Sequence, residues 1–317
     1  MKLIEQDEVS SLLSMAKCID IMEATLADLA TGKAKQSLRS VFPIDDRNVL
    51  GMMPGLLIDE NIVGTKMITV FPENHEQGLP SHQGFVFLFD AQTGKPLAMV
   101  DAEEITTIRT AAVSAVATHY LADKSASVLT VLGTGLQARS HIDAMLQVRP
   151  ITDIHLWGRS KDHADHLQKE LQEKYELPIY VHETVQSAVQ HADIICTVTA
   201  SIDPILRGEW IKSGAHINAV GACRASDREL DSALVKQSQL FVDRIESAVH
   251  EAGDYLIPLE EGEISADHIL GELGDLIVGK VQGRKTKEEI TLFKSLGLAI
   301  EDVAVAHFIY KQSKQGG

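Results

Sequence analysis

Cysteine is scarce in this chain. Cys18, Cys196 and Cys223 are the only three in 317 residues, too few and too widely spaced for a disulfide framework or a zinc knuckle. A reducing cytosol is the compartment that fits. Positive charge is also short: 29 basic residues stand against 45 acidic ones, a formal net charge of -16. A field of that sign repels phosphate backbones and anionic membrane surfaces, which counts against nucleic acid and membrane as partners. An anionic small ligand must then be captured locally, by arginines or helix N-termini. No apolar run approaches the roughly 20 residues that span a bilayer. The opening "MKLIEQDEVSSLL" places acids where a signal peptide needs an uninterrupted apolar core. Internal repeats and low-complexity segments are missing too, so the expectation is a soluble, cytoplasmic protein with an ordinary core.

The hydrophobic fraction of 44% supports such a core, and the length suits two domains. "SLLSMAKCIDIMEATLADLATGKA" has apolar residues at helical spacing, with Gly32 as its stop, and predicts one long amphipathic helix. From "SLRSVFPI" to "PLAMVDA" the pattern becomes short β-rich runs between Gly, Pro, Asn and Asp, a mostly antiparallel sheet. "EITTIRTAAVSAVATHYLA" returns to helix. After it, "SVLTVLG", "TDIHLWG", "LPIYVH", "ADIICTVT", "AHINAVG" and "QLFVD" alternate with helical stretches, the pattern of a parallel doubly wound sheet. The fold class expected is therefore α/β. "TLFKSLGLAIEDVAVAHFIYKQ" predicts a final helix too apolar on one face to stand alone, which returns to the first domain or to a subunit interface.

Between the first strand of that series and its helix lies "VLGTGLQA". Gly133 and Gly135 permit a tight bend and close approach of a pyrophosphate, and the helix behind them points free N–H groups at the anion. Ala138 stands where a third glycine would serve helix–strand packing, an allowed exchange. Gly133, Thr134, Gly135, Leu136 and Gln137 are thus candidate cofactor contacts. An NAD site normally has an acid at the end of the second strand. None is found here: "GRS" follows, and the next acid is Asp162. Arg159 offers a planar fork of donors to a 2′-phosphate and Ser160 a hydroxyl, which favours NADPH, with NADH as the alternative. A solvated arginine at a strand end would look the same.

Together "KMITVFPENHEQGLPSHQG", "ITTIRTAAVSA", "LGTGLQA", "PILRGEWIKSGAHINAVGA" and "TLFKSLGLAIEDV" resemble the ornithine cyclodeaminase and mu-crystallin family over nearly the whole chain. The resemblance implies a Rossmann domain, residues 122–289, and a discontinuous α+β substrate-binding and dimerisation domain, residues 1–121 with 290–317. It also implies a homodimer formed through the sheet of the latter and an active site in the cleft between the domains. Family members include cyclodeaminases, alanine dehydrogenases, reductases of cyclic ketimines and binding proteins.

By that resemblance Arg39 and Arg109 hold a substrate carboxylate, which a guanidinium can grip with two parallel bonds. A buried structural ion pair is the alternative for Arg109, which also counts among the cofactor contacts. A solvated side chain is the alternative for Arg39. Lys66 matches the family's active-site lysine; pointing inward from an apolar strand it needs a partner or a lowered pKa, and either suits proton handling at a C=N centre. His82 shapes the cofactor side or is a structural histidine. Thr197, Thr199 and Val220 are placed near the nicotinamide, and Glu251 and Ser295 on the far side of the cofactor.

One family feature is missing. Cyclodeaminases and alanine dehydrogenases of this fold typically carry an aspartate soon after the glycine of "AVGA", where Cys223 and Arg224 stand here. A neutral thiol neither binds an amine by charge nor accepts its proton. Cys223 is therefore a substrate-side candidate of a different kind, and the chain looks closer to the mu-crystallin ketimine reductases. A preformed cyclic imine needs a held carboxylate, a protonated or polarised C=N and a hydride. The expected activity is thus an NADPH-preferring reductase of imines such as 1-pyrroline-2-carboxylate or 1-piperideine-2-carboxylate. The alternatives are an amino-acid enzyme in which Asp227 supplies the missing acid, and a small-molecule binding protein without turnover.

Overall fold

The computed structural model describes residues 1–315, apart from the side chains of residues 75–77. By internal contact the chain divides into two units, residues 1–110 with 297–317 and residues 111–296.

The first unit contains β1 (Lys2–Ile4), α1 (Gln6–Leu12), α2 (Met15–Ala30), β2 (Ala34–Gln36), β3 (Ser40–Pro43), β4 (Val49–Leu57), β5 (Ile62–Val70), β6 (His82–Asp90) and β7 (Pro96–Asp101). Helix α3 (Ala102–Leu121) then runs across the division into the second unit. The sheet order is β1-β7-β6-β5-β4-β2, with β3 added beside β4. Every pairing is antiparallel except that of β1 with β7. The single opening helix expected from the periodicity is two helices. Ser14, whose hydroxyl accepts from the Lys17 N–H, caps the start of α2 and interrupts the run.

The second unit alternates strand and helix: β8 (Val128–Leu132), α4 (Leu136–Val148), β9 (Asp153–Trp157), α5 (Lys161–Lys174), β10 (Ile179–Val181), α6 (Val185–Val189), β11 (Ile194–Thr197) and β12 (His216–Ala219). There follow α7 (Ser232–Gln237), β13 (Ser238–Val242), α8 (Ile245–Glu251), α9 (Gly253–Glu260), β14 (Ile269–Glu272), α10 (Leu273–Ile277) and β15 (Ile290–Lys294). All its strands are parallel, in the order β10-β9-β8-β11-β12-β15-β13-β14. This is the doubly wound α/β arrangement, and its chain reversal falls at β8, the strand that leads into the glycine turn.

Helix α11 (Ala299–Gln315) closes the chain and belongs to the first unit. The expected final helix is thus only partly a helix. "TLFK" lies within β15, buried between β12 and β13, because a short apolar run covered on both faces carries no periodicity that separates strand from helix. Residues 290–296 accordingly pack in the second unit, and the first resumes at Gly297, whose φ of +81° turns the chain toward α11.

In the first unit α11 and α2 cover one face of the sheet, where Met53, Leu57, Val86, Leu88 and Val100 are buried with Cys18, Met22 and Leu26 of α2. The fit is close. A Cβ on Gly64 would lie 2.8 Å from the Phe87 carbonyl oxygen and 3.0 Å from Val303 of α11. Among the described residues no helix is long and apolar enough to cross a membrane.

Candidate functional site

Two groups of polar and charged residues stand out, one in each unit. In the first, Lys66 sits on β5 two residues after Gly64 and on the same face, so it points beneath α11, where it is 2% exposed. Helix α11 presents two consecutive acids there, Glu301 and Asp302, both fully buried. Asp302 Oδ2 lies 2.7 Å from Lys66 Nζ, and its Oδ1 accepts from Arg109 Nε at 3.0 Å. Glu301 Oε2 accepts from Arg109 Nη1 at 2.9 Å and from the Leu298 N–H at 3.1 Å. Arg39, half-buried, donates from Nη2 to the Gly297 carbonyl at 3.3 Å.

Burial and charge compete at Lys66. Desolvation, the largest influence, together with the Arg109 and Arg39 charges, lowers its pKa from the ordinary 10.5; Asp302, by charge and hydrogen bond, opposes them, and the result is about 8. That is a value from which a lysine can give or take a proton near neutrality. Cys18 on α2 belongs to the same buried surroundings. Its thiol is pushed up by desolvation, with Arg109 lowering it and Glu301 and Asp302 raising it, which makes it inert.

Arg109 is thus in the buried ion pair that the sequence left open as its alternative, with Nε and Nη1 already engaged by carboxylates. Lys66, Arg109 and Arg39 thus gather around Glu301 and Asp302 in one cluster of charged side chains. His82 begins β6 on the same side as Val86, the partner of Lys66 in register. They are four positions apart, about 13 Å along the strand. It is exposed, and its ring pairs with Ser81 Oγ at 2.9 Å.

In the second unit the strand ends form one continuous edge. The Gly133 N–H donates to Trp157 O, Val198 N–H to Leu132 O, Val220 N–H to Thr197 O and Ser295 N–H to Ala219 O. This edge holds the glycine turn, Thr197, Thr199, Val220 and Ser295. Gly133 has φ +130° and a Cβ there would meet Val198 O at 2.7 Å, so only glycine fits. Gly135 is different: a Cβ would meet nothing within 4 Å. The space beside it is open, and no side chain caps the helix N-terminus that follows, where Gly135 is the N-cap. Such an open cradle at a helix N-terminus without a side-chain cap fits a dinucleotide pyrophosphate. Thr134, Leu136 and Gln137 complete the turn, with Leu136 57% exposed.

Arg159 follows β9, is exposed, and makes no hydrogen bond or ion pair among the described residues. Ser160 beside it is the N-cap of α5, its hydroxyl oxygen accepting from the His163 N–H. Glu251 ends α8, half-buried. Cys223 is half-buried and its thiol donates to Val220 O at 3.5 Å. Asp227 accepts from Ser226 Oγ.

Sequence reasoning missed five charged residues that organise these groups: Glu301 and Asp302 in the first unit, and Glu229, Asp254 and Lys294 in the second. The only local signal was an acid pair inside an otherwise apolar helix, "LAIEDVAVA", where an uncompensated charge is too costly to bury.

A protein-family model described as "Ornithine cyclodeaminase/mu-crystallin family" matches residues 1–317. Over 319 residues the chain is 36% identical to a Delta(1)-pyrroline-2-carboxylate reductase of Bacillus cereus, with 100% of this chain and 98% of that protein covered. It is 39% identical over 318 residues to the ketimine reductase mu-crystallin of Rattus norvegicus, covering 99% and 97% of the two. Among solved structures, the Delta(1)-pyrroline-2-carboxylate reductase of Thermococcus litoralis, in complex with NADH and L-proline, matches with a TM-score of 0.97 at 36% identity, covering 100% of this chain and 98% of that one.

Proposed function

We propose a function on one premise: the chain belongs to the ornithine cyclodeaminase/mu-crystallin family. It reduces cyclic ketimine carboxylates to cyclic L-amino acids, with NADPH preferred over NADH. The observation that carries this reading is the buried cluster in which Lys66, its pKa lowered to about 8, meets Asp302, beside Arg109, Glu301 and Arg39.

The reduction adds a hydride to the imine carbon and a proton to its nitrogen. The glycine turn of Gly133 and Gly135 would hold a reduced nicotinamide dinucleotide, which when bound would supply the hydride. Arg39 and Arg109 orient the carboxylate, and Lys66 Nζ, held charged by Asp302, donates the proton to the imine nitrogen. Orientation and preorganised charge account for the acceleration. The absence of an acid at Cys223 agrees with a substrate that arrives as an imine. The relatives named as C=N reductases, and the Thermococcus protein that holds NADH with L-proline, support the same direction. Arg159 and Ser160 are the proposed 2′-phosphate contacts.

The protein is also proposed to be a homodimer. On the sheet face opposite α11, Leu56, Met67, Phe85, Phe87, Phe89 and Met99 are only half-buried, in cross-strand register. An apolar sheet face of this kind is normally covered by another layer, and a second copy supplies an identical one.

The test follows loss of NADPH absorbance with five- and six-membered cyclic ketimine carboxylates, beside NADH, and beside NAD with ornithine and with alanine. NADPH-selective turnover of one imine is expected. Ammonia release with NAD, or tight nucleotide binding without turnover of any imine, would overturn it.

A further inference from the structure

A second buried ion network lies behind the strand edge of the second unit. Glu229 is fully buried, and both its oxygens are saturated. Oε1 accepts from the Thr199 N–H at 2.8 Å and from Thr199 Oγ1 at 2.7 Å. Oε2 accepts from Thr197 Oγ1 at 2.7 Å and from the Gly221 N–H at 2.8 Å. One carboxylate therefore ties the segment leaving β11 to the segment leaving β12. Asp254 holds Glu229 in turn, its Oδ1 accepting from the Glu229 and Leu230 N–H groups. Asp254 Oδ2 lies 3.0 Å from Lys294 Nζ, which also donates to the carbonyl of Ala222, the residue after Gly221. The tie is close: a Cβ on Gly221 would lie 2.1 Å from Thr199 O.

The position of this network on the edge gives it meaning. Strand order places the ends of β9, β8, β11 and β12 side by side, at spacings of about 4.8 Å. Arg159 lies at the β9 end and the open cradle of Gly135 at the β8 end. A dinucleotide with its adenosine toward Arg159 and its pyrophosphate at the glycine turn extends its other half over the ends of β11 and β12. Those are the two segments that Glu229 joins.

We propose that Glu229 is a positioning residue for the nicotinamide half of the cofactor, acting through Thr199 and Gly221. The proposal rests on the cofactor reading above. Glutamine is a poor replacement: each oxygen faces one backbone N–H, so in either orientation the amide NH₂ would oppose a donor. Burial raises the pKa of Glu229, while Lys294 and the two threonine hydroxyls favour its charged form.

The experiment measures binding of two probes to the full chain: NADPH, and adenosine 2′,5′-bisphosphate, which carries the 2′-phosphate but no nicotinamide. E229Q is expected to weaken NADPH by about tenfold, about 1.4 kcal/mol, while the fragment's affinity changes less than about twofold, far below the 1.4 kcal/mol step. Thr199→Val is expected to move NADPH affinity in the same direction by less, and Thr199→Ser to restore it. A merely structural role would weaken both probes alike, and that outcome, or unchanged affinity for both, would overturn the proposal. If E229Q does not fold, the Thr199 pair decides by the same comparison. An unaltered protein that binds neither NADPH nor NADH would overturn the cofactor reading and this inference with it; normal binding by that protein with unselective variants overturns this inference alone.

Discussion

Replacing Asp302 by Asn tests the link between Lys66 and its buried partner. The carboxylate lies 2.7 Å from Lys66 Nζ and supports the charged amine against desolvation, Arg109 and Arg39. An opposite charge at such a distance moves a pKa by roughly 1–3 units. Taking about 2 units of loss, Lys66 would fall from about 8 to about 6. As the proton donor Lys66 must be charged, so the unaltered enzyme keeps its rate below pH about 8 and loses it above. At pH about 7.5 the charged fraction drops from roughly 0.8 to about 0.03 in D302N, an expected loss of about 25-fold in kcat/KM. At pH about 5.5 much of that loss should be recovered, because the variant's lysine is then protonated again. The assay is kcat/KM for imine reduction as a function of pH for both proteins. Breaking a buried ion pair also destabilises, by roughly 3–5 kcal/mol, but comparison of limbs within each folded protein is independent of that cost. A D302N profile whose basic limb stays near 8, or a loss equal at every pH, would refute the reasoning.

The glycine turn gives opposite expectations for its two glycines. Gly135→Val enters open space, so the unfolding temperature should hold while calorimetric NADPH affinity falls at least about tenfold; Gly133→Ala meets Val198 O at φ +130° and should lower thermal stability itself, by about 1–3 kcal/mol. Arg159→Ala should weaken NADPH by roughly 10- to 100-fold, the worth of one or two charge-assisted bonds, and leave NADH unchanged; equal losses would reject the 2′-phosphate role. Phe87→Asp, on the half-buried face opposite α11, should convert a dimer to a monomer in sedimentation, and an unaltered mass would place the interface elsewhere.

The parts of the fold legible in the sequence were those written in local pattern. Six strands of the parallel sheet follow from alternation with helices, and the glycine turn follows from two glycines set between a strand and a helix. Lys66 stood out by its match to the family's active-site lysine, and Asp302 is the partner that an inward lysine on an apolar strand needs. Ser14, however, splits the opening helix by a capping bond that periodicity does not reveal. "TLFK" could be placed in β15 only by its neighbours in the sheet.

What the sequence by itself determined is therefore the α/β class, the parallel series headed by a glycine turn, the arginine after the second strand, and a family resemblance that runs the length of the chain. The tertiary structure decided the company those residues keep. Arg109 meets Glu301 and Asp302 across 192 and 193 positions of sequence, and Thr197 meets Glu229 across 32. Hydrophobic spacing and turn chemistry act between near neighbours and can be read along a chain. The partner of a buried charge is chosen by which helix packs on which sheet, and that choice exists only once the whole chain has closed around it.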